Sequence, residues 1–270
     1  MTLIYFTGLS FTTAACVLSW LYLRRYKMTR PAIGVFNLSD VLISIVVIIL
    51  AHFLIVILPL GLVVGGLCLA VATMLYNTAE PVLSNRWIAG LAALSLVGVD
   101  VGAALLFDGS SLLFFLVNST VLTVLIVGIT NLWVQSGLKA RDAVVFAGAI
   151  GVFDFIATAR TGLMRGVVNR LAGLPFEPFV GGLGLGDVLF MILFALVMFK
   201  AFGRPAGLTA LGVALGVIVV MLILIDLDVL APLFPTMTPL APLMILQYLY
   251  WRQRQGAERT MRQFLNPERC

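Results

Sequence analysis

The sequence predicts an all-α, polytopic membrane protein, and three observations lead there. Hydrophobic residues fill 61% of the 270 positions and charged residues only 11%, a balance that suits lipid and leaves little charge for a water-facing surface. Apolar runs of about twenty residues recur along the whole chain, the length of a helix crossing the hydrocarbon core and about twice that of a barrel strand. The 17 Lys and Arg residues gather at the ends of these runs, so the net charge of +5 belongs to orientation and headgroup contact, with no nucleic-acid partner implied.

No segment between the runs is long enough for a soluble core, so residues 1–270 read as a single membrane domain. Residues 1–141 hold the first five helices, a scaffold, and 142–270 the last four, which carry the residues of chemical interest. Nine spans are expected, at roughly 2–23, 38–58, 60–76, 87–107, 112–135, 143–159, 178–202, 206–225 and 229–251. No basic residue precedes the first run and that run is long enough to cross, so it reads as a span and not as a signal peptide. The third is short and follows Pro59-Leu60-Gly61 closely, which suits a tight helical hairpin. The fourth carries Asp100 near its middle, read as an acid paired with a neighbouring helix, and the fifth carries Asn118, read as a helix bridge. The sixth is short and continues past Ala159, since Arg160 can extend its charge toward the interface. Between the sixth and seventh lies the longest connection, residues 160–177, where Leu163, Met164, Val167, Val168 and Leu171 recur at helical spacing beside Arg165 and Arg170. That pattern predicts a short interfacial helix. The eighth ends near Asp226 and Asp228, expected at the outer interface, and the ninth is interrupted by prolines.

With nine spans the termini face opposite sides. Arg24, Arg25, Lys27, Arg30, Arg86, Lys139, Arg141, Lys200, Arg204, Arg252, Arg254, Arg259, Arg262 and Arg269 then fall on one face, against only Arg160, Arg165 and Arg170 on the other. Positive residues favour the cytoplasmic side, so the N-terminus is expected outside and the C-terminus in the cytoplasm, in the cell membrane if the host is prokaryotic.

The chemistry is expected at two intramembrane acids. An ionised carboxylate at the bilayer centre costs about 2.5 kcal/mol or more, so such an acid is a functional hypothesis by default. Gly184-Leu185-Gly186-Asp187 lies within the seventh apolar run, and Asp154 sits one span earlier in Gly151-Val152-Phe153-Asp154. Counted at about 1.5 Å per residue, Asp154 lies some five residues from the outer end of its span and Asp187 some nine, depths that agree to about 6 Å. Two neighbouring carboxylates do not both ionise cheaply and retain one proton between them. The protonated acid can then polarise a carbonyl while the charged one takes a proton from water. Gly184 and Gly186, lacking side chains, let another backbone approach Asp187; a helix-packing motif with a buried acid is the alternative use of the same residues.

The rest of the composition narrows the choice. His52 is the single histidine, so an HExxH zinc site is excluded, and no GxSG serine accompanies it. Cys16 and Cys68 lie in apolar runs and Cys270 is terminal, which suggests neither a disulfide framework nor a metal set.

These motifs resemble those of the intramembrane aspartyl proteases, the family of presenilin, signal peptide peptidase and their prokaryotic homologues. Phe153-Asp154 on the sixth span stands where the family has YD, Gly184-Leu185-Gly186-Asp187 on the seventh matches GxGD, and Pro239-Leu240-Ala241-Pro242 on the ninth stands where it has PALP. Phe153 thus replaces a tyrosine, and the central pair of the proline motif is exchanged. The resemblance implies a presenilin-like fold of nine helices and hydrolysis of peptide bonds within transmembrane segments. It makes Asp154 and Asp187 catalytic, and gives Pro239, Leu240, Ala241 and Pro242 a part in holding an unwound substrate strand. It implies no metal and no organic cofactor; the partners expected are transmembrane substrates and lipid, with oligomeric state left open. The expected orientation resembles that of signal peptide peptidase, so substrates with a cytoplasmic N-terminus are favoured. Two alternatives stay open: a prepilin-peptidase-type GxGD protease, and a transporter using Asp100, Asp154 and Asp187 for protons or cations.

Overall fold

A computed structural model describes residues 2–28, 36–231 and 234–265, with the side chains of residues 2–5, 262 and 265 excepted. Arg30, Arg269 and Cys270 therefore lie outside the described residues. The chain is helical almost throughout. In order, it forms α1 (Thr2–Arg25), α2 (Leu38–Ile57), α3 (Leu60–Leu83), α4 (Arg86–Leu106), α5 (Leu112–Gln135), α6 (Ala140–Phe155) with a π-helical turn at Ile156–Arg160, and α7 (Leu163–Leu171). A two-stranded hairpin of β1 (Phe179–Val180) and β2 (Leu183–Gly184) follows, then α8 (Leu185–Phe202), α9 (Arg204–Asp226), α10 (Met237–Gln255) and α11 (Met261–Leu265).

Eight of these helices are long and apolar enough to cross a membrane: α1 to α5, α6 with its π turn, α8 and α9. The chain is thus an all-α protein with the make-up of a multi-pass membrane protein. α10 has 19 residues, about 28 Å at the helical rise, but its Thr, Gln, Tyr and Arg content leaves it outside that set.

Three expected spans have different bounds. The third runs on from residue 76 to Leu83, through the polar Asn77-Thr78-Ala79-Glu80, and stops where Ser84 turns left-handed and gives its N–H to Glu80. Apolarity ends there before helicity does. The ninth begins at Met237 and not at 229; Pro235 disfavours helix in the residue before it, and the first helical turn forms just after. The seventh starts at Leu185, because residues 179–184 form the hairpin, whose turn residues Gly181 and Gly182 hold φ of 61° and 85°. Such angles suit glycine and a two-residue hairpin turn, not a helix. α7 lies where the helical spacing placed it.

The chain divides into two compact units, each assembled from both halves of the sequence. The first comprises Met1–Arg30, Ala51–Leu132 and Arg165–Leu189. Its helices join through small and polar residues, as membrane packing favours. Tyr22 donates to the Thr78 carbonyl (2.9 Å), linking α1 to α3, and Asn131 donates to the Ser19 carbonyl (3.1 Å), linking α5 to α1. α7 packs Val167 and Leu171 onto Val63, Ile55, Leu58 and Leu67. Its Arg170 donates to the carbonyls of Val56 and Leu58, at the negative end of α2.

The second unit comprises Pro31–Leu50, Trp133–Met164 and Phe190–Cys270. An aromatic series links Phe36, Trp133, Phe146 and Phe190, with successive ring centroids 5.5, 5.2 and 4.8 Å apart. α8 is buried along most of its length. Gly207 lets α9 approach it so closely that an added Cβ would stand 2.7 Å from Phe199 Cβ. At the polar end, Glu258 accepts the free N–H groups of Ala140 (2.7 Å) and Arg141 (3.0 Å), capping α6, while Arg259 donates to the Phe199 carbonyl (3.1 Å).

Candidate active site

Asp154 lies one turn beyond Gly151 on the stripe Ala143, Ala147, Ile150, Gly151 and Asp154, the buried face of α6. The residue is buried, 8% exposed. Oδ2 accepts the backbone N–H of Met237 (3.0 Å), and Oδ1 accepts the hydroxyl of Thr158 (3.2 Å) in the π turn. Met237 is the first residue of α10, so Asp154 satisfies one of the amides that a helix start leaves open, from a different helix.

The approach of α10 to α6 explains Gly151. A Cβ there would stand 2.8 Å from the Ala241 Cβ and 3.1 Å from the Met237 carbonyl oxygen. The first and third sequence motifs thus meet inside the second unit: Asp154 on Met237, Gly151 on Ala241. Phe153 beside them is half-buried. Within the proline motif Leu240 and Ala241 are buried, Pro239 is half-buried and Pro242 exposed. The two prolines act differently. Pro239 falls in the first turn, where no intrahelical N–H bond is lost, whereas Pro242 has no N–H to offer Thr238. The Thr238 hydroxyl oxygen is itself buried without a hydrogen-bond partner.

Asp187 belongs to the first unit. It is the third residue of α8, in the first turn, and not deep within a span where its position in the apolar run predicts it. There the helix N-terminus favours a carboxylate. A Cβ on Gly184 would stand 2.7 Å from Asp187 Oδ2, so Gly184 makes room for the acid itself. Gly186 is exposed and a Cβ on it would meet nothing within 4 Å. Leu185, between them, opens α8 and donates its N–H to the Pro178 carbonyl (2.9 Å).

The segment leading to Asp187 is irregular and closely held. Phe176 is left-handed (φ 59°) and donates its N–H to Asp100 Oδ2 (2.7 Å). Asn118 Nδ2 donates to the carbonyls of Glu177 (2.9 Å) and Phe179 (3.3 Å), and Ser119 Oγ accepts the Gly181 N–H (3.0 Å). Glu177 accepts the Gly173 N–H (3.0 Å); burial nevertheless raises its carboxyl above the usual range. Gly8 of α1 meets the hairpin turn, an added Cβ falling 2.7 Å from the Gly181 carbonyl oxygen.

Comparison with family models, curated proteins and solved structures finds no match. The chemistry of the site therefore rests on its own residues.

Those residues correct two expectations. Asp100 and Asn118 were expected to bridge helices; both instead bind the backbone of residues 176–179. Ser119, Thr158 and Met237 were not singled out. The Asn-Ser pair at 118–119 inside an apolar run was the visible sign of the first; a backbone amide has no sequence signal at all. Asp226 and Asp228 are exposed at the end of α9. Among the described residues no group of three or more His, Cys, Asp or Glu side chains could hold a metal ion.

Proposed function

We propose that this chain is an intramembrane aspartyl endopeptidase of the presenilin and signal peptide peptidase type, with Asp154 and Asp187 as its catalytic acids. The observation that supports this most is the Asp154 carboxylate, buried on an apolar helix and bound to the first amide of the proline-containing α10. Helix packing alone would be served by an apolar residue there, whereas an acid on two aligned hydrogen bonds is fixed in orientation.

In the reaction one acid enters charged and the other protonated. The charged carboxylate takes a proton from water as its oxygen adds to the peptide carbonyl carbon, and the protonated acid gives its proton to the carbonyl oxygen. The resulting gem-diol collapses as the amide nitrogen is protonated and the C–N bond breaks, leaving an acid and an amine. Substrates are transmembrane segments, unwound so that a peptide bond becomes accessible. α10 serves as the ninth span: its length suffices, and Met237, Leu240, Ala241, Met244, Tyr248 and Trp251 line its buried face. With nine spans the positive residues place the N-terminus outside and the C-terminus in the cytoplasm, and substrates with a cytoplasmic N-terminus are preferred.

The test incubates purified protein in vesicles with a transmembrane reporter, comparing wild type with Asp154→Ala and Asp187→Ala. Cleavage by wild type alone is expected. Cleavage persisting in both variants would refute the two acids as catalysts, and acid-dependent ion flux without cleavage would favour transport.

A further inference from the structure

The backbone between α7 and α8 must meet a strict condition in this protein. Irregular backbone buried away from water needs other protein groups to satisfy its N–H and C=O groups. Asp100, Asn118 and Ser119 do this for residues 176–181. They are 0%, 3% and 0% exposed, on the apolar helices α4 and α5, and the three take two amides and two carbonyls of one short segment. Asp100 Oδ1 and Asn118 Oδ1 are buried with no hydrogen-bond partner. Ordinary core packing would not keep three polar side chains there, because each unpaired buried oxygen is destabilising. Asp100 also holds Phe176 in a left-handed conformation that a bulky side chain adopts only when its surroundings compel it. From Gly181 the chain is fixed through the hairpin to Gly184, and Gly184 lies directly against the Asp187 carboxylate.

We infer that Asp100, Asn118 and Ser119 are positioning residues that hold residues 176–184, and through them the Asp187 carboxylate, in place. The role rests on the proteolytic reading only for its effect on rate; the anchoring itself is independent of it. Asp100 acts as an acceptor for Phe176, so an amide can replace it and an apolar isostere cannot.

Amide hydrogen exchange of the full chain in nanodiscs tests the anchor without any substrate. Asp100→Leu is expected to speed exchange across 176–184 by about tenfold or more, the loss of one buried hydrogen bond and the unpaired amide it leaves, with α9 and α10 unchanged. Asp100→Asn is expected to restore wild-type exchange. Should Asp100→Leu not fold, Asn118→Ala is the second variant, with the same local acceleration expected over 177–184. Unchanged exchange in this segment, or equal acceleration in every helix, overturns the inference. In the cleavage assay Asp100→Leu should lower kcat with little change in KM, and Asp100→Asn should recover it; equal loss in both variants overturns the acceptor role. If wild type cleaves nothing, the proteolytic reading fails while the exchange result still decides the anchor.

Discussion

At the scale of single residues, the two glycines before Asp187 do different things. Gly184 vacates the volume that the Asp187 carboxylate occupies, whereas nothing lies within 4 Å of the space beside Gly186. Gly184→Ala should therefore leave the fold intact, because only the end of a side chain must move, yet displace that acid and lower the cleavage rate by about tenfold or more. Gly186→Ala should change thermal stability little; parallel melting and cleavage measurements on the two variants check the contrast. Glu177 gives a pH-dependent signature. Burial raises its carboxyl, so the protonated form suits the folded segment and part of the stability is lost as pH climbs from the ordinary glutamate range through the raised value. Glu177→Gln keeps an acceptor for Gly173 and removes the charge. Unfolding followed from acidic to neutral pH should show a decline in wild type that the variant lacks.

At the scale of elements, α6 and α10 form the joint on which the proposed site depends. Gly151 against Ala241 sets their separation, and Asp154 closes the start of α10. Gly151→Leu should cost about 1–3 kcal/mol by overpacking, read as a lowered melting temperature, and should abolish cleavage. Helix periods and span lengths were legible in the sequence because apolar stripes and lipid thickness impose them, and α7 and the stripe from Ala143 to Asp154 follow such patterns. The hairpin was not legible in this way. Phe179-Val180 and Leu183 continue an apolar run that window hydropathy reads as helix, and only Gly181-Gly182 marks the turn. The partner of Asp154 was hidden for a different reason: a backbone amide 83 residues away carries no residue signature.

At the scale of the whole chain, eight apolar helices make this a multi-pass membrane protein, and α10 decides the topology that the proposal requires. If α10 crosses, reporters fused at the two termini should lie on opposite sides of the membrane, the C-terminal one in the cytoplasm. Fusions on the same side would remove the ninth span and the orientation argument with it. The most direct test of the central claim is binding of a peptide in which the cleaved bond of the reporter is replaced by a hydroxyethylene group, a mimic of the gem-diol. A centre held by both acids should bind wild type about 100-fold or more tighter than either Asp154→Asn or Asp187→Asn, while the unmodified peptide binds all three alike. Equal affinity of the mimic for wild type and for either variant would contradict a two-acid protease.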